Sequence, residues 1–177
     1  MIKKLLTTAA ATMMLASLSA TTAQAATIPR ITGSYTVTTT ITAHKNIPSD
    51  VGNASTTTWK FTPSCTGTSG CKTTLVRPRT SGHPASVTTV LSPVQSSGTW
   101  HYQGSKTYLS ACFLDNGSVV EKAYSTKETT NLPVTSINTS NKVTAFKGTL
   151  VLVFTPTASA PADCTNDRIT ARVQTTK

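Results

Sequence analysis

From residue 34 to 43 the chain alternates strictly. Tyr35, Val37, Thr39, Ile41 and Ala43 fall on one face, and Ser34, Thr36, Thr38, Thr40 and Thr42 on the other. A period of two marks a strand with one buried face. The pattern recurs at 57–62, where Trp59 and Phe61 point one way and Lys60 the other. It recurs again at 72–77 and at 85–91. Residues 99–102 and 106–113 form a fifth strand, or two strands broken at Gly104. Runs at 119–129 and 134–138 follow, then a long one at 142–155, and 168–174 closes the chain. In the 142–155 run Phe146, Gly148, Leu150, Leu152 and Phe154 share a face, while Val151 and Val153 occupy the other. Apolar residues on both sides predict a strand covered on both faces.

Between these runs lie turn signals: 46–53 with Pro48 and Gly52, the Gly/Ser/Thr stretch 65–71, 79–84, 93–98, Asp115-Asn116-Gly117, and 156–163. Asp-Asn-Gly between alternating runs is a hairpin signature. Helix signals are nearly absent, and β-branched Thr favours strands. Eight or nine strands joined by short connections predict an all-β, antiparallel up-and-down barrel of lipocalin-like form, or a two-sheet sandwich. In the barrel, Tyr35, Trp59, Phe61, Trp100 and Tyr102 point inward. They form a packed core, or line a ligand cavity if one end stays open.

The first 25 residues are different in kind. Lys3 and Lys4 precede an apolar and small-residue run, and Ala23-Gln24-Ala25 fits a signal-peptidase site. Cleavage after Ala25 or Ala26 is expected, leaving one β domain over 26–177 that is secreted or periplasmic, with no membrane span in the mature chain. Such a compartment makes Cys65, Cys71, Cys112 and Cys164 disulfide partners rather than metal ligands or redox pairs. Four cysteines allow three connectivities. The short flexible loop favours Cys65–Cys71, which leaves Cys112–Cys164, with loop-closure contributions of about 2.4 and about 4 kcal/mol.

The formal net charge is +10, and Lys3 and Lys4 leave with the signal. The remaining positive balance suits an anionic envelope component, with Lys72, Arg77, Arg79, Arg168 and Arg172 as a candidate anion-binding surface. It does not suit nucleic acid, because Trp59 and Phe61 face away from Lys60.

Candidate chemistry is thin. Glu121 and Glu128 lie seven apart on one strand and face opposite sides, so they cannot serve as a glycosidase pair. Asp50, Asp115, Asp163 and Asp167 fall in loops or at strand ends, as turn acids do. His44, His83 and His101 have no partner nearby in sequence. Ser69-Gly70-Cys71-Lys72 matches the S-x-x-K string of penicillin-binding enzymes, but without a helix or partner motifs. Asn53-Ala54-Ser55, Asn116-Gly117-Ser118 and Asn138-Thr139-Ser140 match the glycosylation pattern and are read as unmodified turns.

Trp59-Lys60-Phe61-Thr62-Pro63-Ser64-Cys65, followed by Cys71, Leu75-Val76-Arg77, Phe146-Lys147-Gly148-Thr149, Pro156 and Cys164, resembles small exported actinobacterial β-domains of uncharacterised function. They share a W-x-F-x-P-x-C…C pattern and a late cysteine. The resemblance implies a disulfide-stapled, barrel-like domain, sometimes joined to membrane-anchored signalling proteins, and it carries over no catalytic residue. Gly33-Ser34-Tyr35 is similar to the G-x-W of lipocalins, with Tyr in place of Trp. The expectation is a monomeric, non-enzymatic binding protein without cofactor or metal. It would hold a small apolar ligand in the barrel or, alternatively, dock a basic surface on an anionic polymer or partner protein.

Overall fold

The computed structural model describes residues 27–64, 71–78 and 86–176. The signal segment, Cys65, Arg79 and His83 lie outside them. Eight strands run in order: β1 (Gly33–His44), β2 (Ala54–Ser64), β3 (Lys72–Arg77), β4 (Val87–Ser96), β5 (Thr99–Phe113), β6 (Val119–Ile137), β7 (Val143–Pro156) and β8 (Asp167–Thr175). Each pairs antiparallel with the next, and β1 closes on β8 through a register from Val37↔Thr175 to His44↔Ile169. The chain is an up-and-down closed barrel, and the sandwich alternative does not apply. A short 3-10 turn at Pro48–Asp50 interrupts the β1–β2 connection. Among the described residues no helix is long and apolar enough to cross a membrane.

Four local readings need correction. Residues 93–96 are strand: the turn is only Ser97-Gly98, both with positive φ (48° and 76°), between the paired Ser96 and Thr99. That is the two-residue hairpin whose twist matches its strands. Pro93 is tolerated because β3 pairs with β4 only as far as Leu91, so the missing N–H breaks no ladder there.

Gly104 does not divide β5. A Cβ at Gly104 would collide with the Val90 carbonyl oxygen, so glycine here permits close approach of β4. The runs 119–129 and 134–138 are one strand, β6, which carries Pro133 across a gap in its β7 register between Asn131↔Thr149 and Val134↔Phe146. Finally, β7 has one buried face: Phe146 and Leu150 are inside, while Val153 is exposed. A strand paired on both edges in a closed barrel still shows its outer face to solvent.

The main core fills one end, and a smaller cluster around Cys112, Ala123 and Cys164 sits at the other. Tyr35, Trp59, Phe61 and Phe146 pack as a ring cluster with centroids 5.3–6.5 Å apart. Leu75, Leu91, Tyr102, Leu132, Val143 and Val173 surround it, all buried. The N-terminal segment caps this end. Ile31 is fully buried, Arg30 bridges to Lys142, Asn141 Nδ2 donates to the Ile28 carbonyl (2.9 Å), and the Tyr102 hydroxyl donates to the Pro29 carbonyl.

Outward positions on the strands are mostly Thr, Ser and Lys, the reverse of a membrane-spanning barrel. The predicted Cys112–Cys164 disulfide is present. Cys71 is also disulfide-bonded, and its expected partner Cys65 lies outside the described residues.

Phe146 touches three other rings, so Phe146→Ala should lower stability by about 3–5 kcal/mol in denaturant unfolding. A loss under 1 kcal/mol would mean the cluster does not anchor the filled end. Burial raises the Tyr35 and Tyr102 phenols above 10.0, partly offset by backbone hydrogen bonds. Their contribution to stability is therefore full below pH 10 and lost as pH rises beyond it. Ultraviolet titration should show tyrosinate appearing late and together with unfolding. Ionisation of all four tyrosines near pH 10 with the fold intact would contradict this.

Candidate functional site

In an up-and-down barrel, alternate connections gather at the same end. Here the β1–β2, β5–β6 and β7–β8 connections meet around the end opposite the aromatic core, and the strands enclose a cavity of about 700 Å³. Its apolar wall comes from Ile41 on β1, Trp59 on β2, Leu150, Leu152 and Phe154 on β7, and Ile169 on β8. Each sits at an inward position of its strand, as the period of two dictates. Trp59 forms the boundary: it stacks toward Phe146 on the core side and lines the cavity on the other.

The inner part of the cavity is polar. Arg77, on the same face of β3 as Thr73 and Leu75, reaches into the barrel and forms a forked pair with Glu128 of β6. Arg77 Nε donates to Oε1 (3.0 Å) and Nη2 to Oε2. Tyr108 on β5 donates to the same Oε2 (3.2 Å). The Arg77 and Glu128 side chains are 7% and 0% exposed. Charges this deep need each other: the desolvated pair adds little net stability, but either member left alone is strongly unfavourable.

At the mouth, a bulge between Ile41 and Ala43 changes the parity of β1. Ala43, predicted inward, is exposed, and His44 turns in instead. His44 Nδ1 lies 2.9 Å from Asp50 Oδ2, and Nε2 lies 2.8 Å from Asp167 Oδ2. The absence of a partner for His44 in the linear sequence is thus reversed in three dimensions. A neutral imidazole has one N–H and one acceptor. With a carboxylate oxygen at each nitrogen, the ring links Asp50 to Asp167.

Asp167 Oδ1 also accepts from the Asn46 and Arg168 amides. Tyr124 and Phe154 stand edge to face at 5.6 Å beside this cluster. Burial, and then the negative field of Asp167, hold the Tyr124 phenol above its ordinary value.

Of the five aromatic residues proposed to line a ligand cavity, Trp59 does so. Tyr35, Phe61 and Tyr102 belong to the filled end, and Trp100 is half-buried on the β4–β5 hairpin. The five basic residues do not form one surface. Arg77 is inside the barrel, Arg79 is outside the described residues, and Lys72 is exposed opposite Ser64 at the filled end. Arg168 and Arg172 are exposed on β8. Arg172 opposes Thr40, whose β2 partner is Ala54. Lys72 lies on β3, with β1 and β2 between it and β8, so it stands on a different side of the barrel from Arg168 and Arg172.

Sequence reasoning missed Glu128, Tyr108 and the His44 trio. Alternation could have placed Arg77 and Glu128 inside, whereas the bulge has no sequence signal. Among the described residues, no group of three His, Cys, Asp or Glu is arranged to hold a metal ion.

No family model and no curated protein matches the chain. Among solved structures it is similar to the monomeric form of the M. tuberculosis PknI sensor domain, at 14% identity and a TM-score of 0.44, over 86% of this chain and 89% of that one. A likeness of that degree carries no inference about function, and only this chain's own geometry bears on it.

The paired floor predicts a mutational asymmetry. Glu128→Ala should lower unfolding stability by about 3–5 kcal/mol, whereas Arg77→Met combined with Glu128→Leu should recover most of it. If the double variant is no better than Glu128→Ala, the two side chains are not energetically coupled.

Proposed function

We propose that the mature domain is an exported binding protein that holds a small molecule with a substantial apolar surface in the open half of its barrel, and that it acts by binding rather than by catalysis. The observation that carries this reading is the cavity of about 700 Å³, walled by Ile41, Trp59, Leu152, Phe154 and Ile169. Its volume lies within the range of small-molecule sites, and a mostly apolar wall with a few fixed polar groups is their usual composition. The aromatic cluster supports the reading indirectly. By filling the opposite end, it lets the open end remain hollow without loss of the core. The wall is built on strands rather than on loops, so the site is pre-formed and little ordering opposes binding.

The alternative of a basic face docking on an anionic polymer gains no such support, because Arg77 is internal and two strands, β1 and β2, stand between Lys72 and the arginines of β8. Trp59 serves as a natural reporter. An apolar fluorescent probe such as 1-aminoanthracene should bind saturably and quench it. Ser55→Trp and Ser110→Trp, which add bulk from opposite walls, should each abolish probe binding while the far-ultraviolet spectrum stays native. Undiminished binding in both folded variants would place the probe elsewhere and overturn the reading.

A further inference from the structure

The charge around this cavity runs opposite to the charge of the protein. The chain carries sixteen Lys and Arg against six Asp and Glu. Yet all four of its aspartates, Asp50, Asp115, Asp163 and Asp167, line the cavity, and Arg77 is the one lysine or arginine that does so among the described residues. Arg77 is already neutralised by Glu128. The topology produces this concentration: Asp50 lies in the β1–β2 connection, Asp115 in β5–β6, and Asp163 in β7–β8 with Asp167 opening β8. All of these belong to the same end of the barrel.

Asp50 and Asp167 share His44, whereas Asp115 and Asp163 make no side-chain hydrogen bond or ion pair among the described residues. Two basic residues border this rim without an ion pair to its aspartates among the described residues. Lys45 Nζ donates to the Asn166 carbonyl, and Arg168 is exposed on the outer face of β8.

Next to the carboxylates stand aromatic faces. The Tyr124–Phe154 pair lines the same cavity as Asp163 and Asp167, with Phe113 beside the β5–β6 connection. Ring faces and carboxylates attract the same partner, a positive charge, and ring faces do so most strongly when water is excluded. Low-dielectric walls lined by one sign of charge focus the field at the opening.

Resting on the cavity reading above, we infer that the ligand is an organic cation: an apolar body that enters toward Trp59 and Leu152, with an amine or quaternary ammonium group left at the mouth among Asp115, Asp163, Asp167 and the Tyr124–Phe154 rings. Fatty acids and other apolar anions would bring a carboxylate into the same negative field and are selected against.

Three probes that share one tail separate the charge question from the cavity question: decyltrimethylammonium, decanol and decanoate, each titrated below its aggregation threshold with Trp59 quenching as readout. The expected order is cation tightest and anion weakest. The cation should exceed decanol by about tenfold, which is about 1.4 kcal/mol. That advantage should shrink in high salt, because mouth carboxylates are partly exposed. Asp115→Asn with Asp163→Asn, two exposed positions, should bring the cation to within about threefold of decanol without changing decanol itself. If cation and alcohol bind equally, or decanoate binds tightest, the charge inference is overturned while the cavity reading stands. If none of the three quenches Trp59, the cavity reading fails and takes this inference with it.

Discussion

Closure of β1 on β8 is the constraint on which the other features depend. Once those edges pair, every inward side chain is committed to a single enclosed space, and the inventory of large residues decides which parts of it are filled. Tyr35, Trp59, Phe61, Tyr102 and Phe146 are concentrated toward one end. Ile31, brought in by the N-terminal segment, completes that end as a close-packed core. At the other end small side chains, Thr39, Ser55, Thr57, Ser110 and Ala171, alternate with the larger Ile41, Leu152, Phe154 and Ile169, and together they line the space without filling it. One end is therefore solid and carries stability, and the other is hollow and available to a ligand. Closure also leaves no sheet edge to recruit another chain.

Electrostatics follow the same division. A charge at the bottom of the hollow end would be intolerable alone, and the Arg77–Glu128 fork with Tyr108 removes that problem by satisfying both members within the wall. The aspartates remain at the mouth, where solvent moderates their repulsion and the His44 bridge joins Asp50 of the β1–β2 connection to Asp167 of β8. The Cys112–Cys164 disulfide ties the end of β5 to the β7–β8 connection on the same rim, so two of the loops that carry aspartates are covalently joined. A rim fixed in this way keeps its carboxylates and the Tyr124–Phe154 rings in register with the cavity below.

Much of this was legible in the chain, and the rest failed for identifiable reasons. Period-two alternation located every strand, though it found only 57–62 of β2 and the first half of β4 and split β6 in two, and it favoured the barrel over a sandwich, because side-chain parity is a local property that short turns preserve. Gly104 and Pro93 misled: as strand breakers they suggested ends where the structure uses Gly104 for close approach and sets Pro93 beyond the last β3 pair. Parity also held the information that Arg77 shares a face with Leu75. A preference for charge at the surface outweighed it. The bulge at Ile41 and Ala43 left no trace in composition, so His44 could not be assigned inward. The four aspartates were each read as ordinary turn acids. Their convergence is visible only when the strands are numbered, since it is the shared end of alternate connections that brings Asp50, Asp115 and Asp163 together.

The most direct test is to locate a bound probe in the folded protein. In a backbone-amide NMR titration with decyltrimethylammonium, the account predicts shift changes confined to the cavity wall and mouth: Ile41, Trp59, Tyr124, Leu152, Phe154 and Ile169. The solid end around Ile31, Tyr102 and Val143 should remain unmoved. Changes centred on that solid end or spread over the outward threonines of the strands would contradict it, because the ligand would then be using a surface that the barrel was not built to offer.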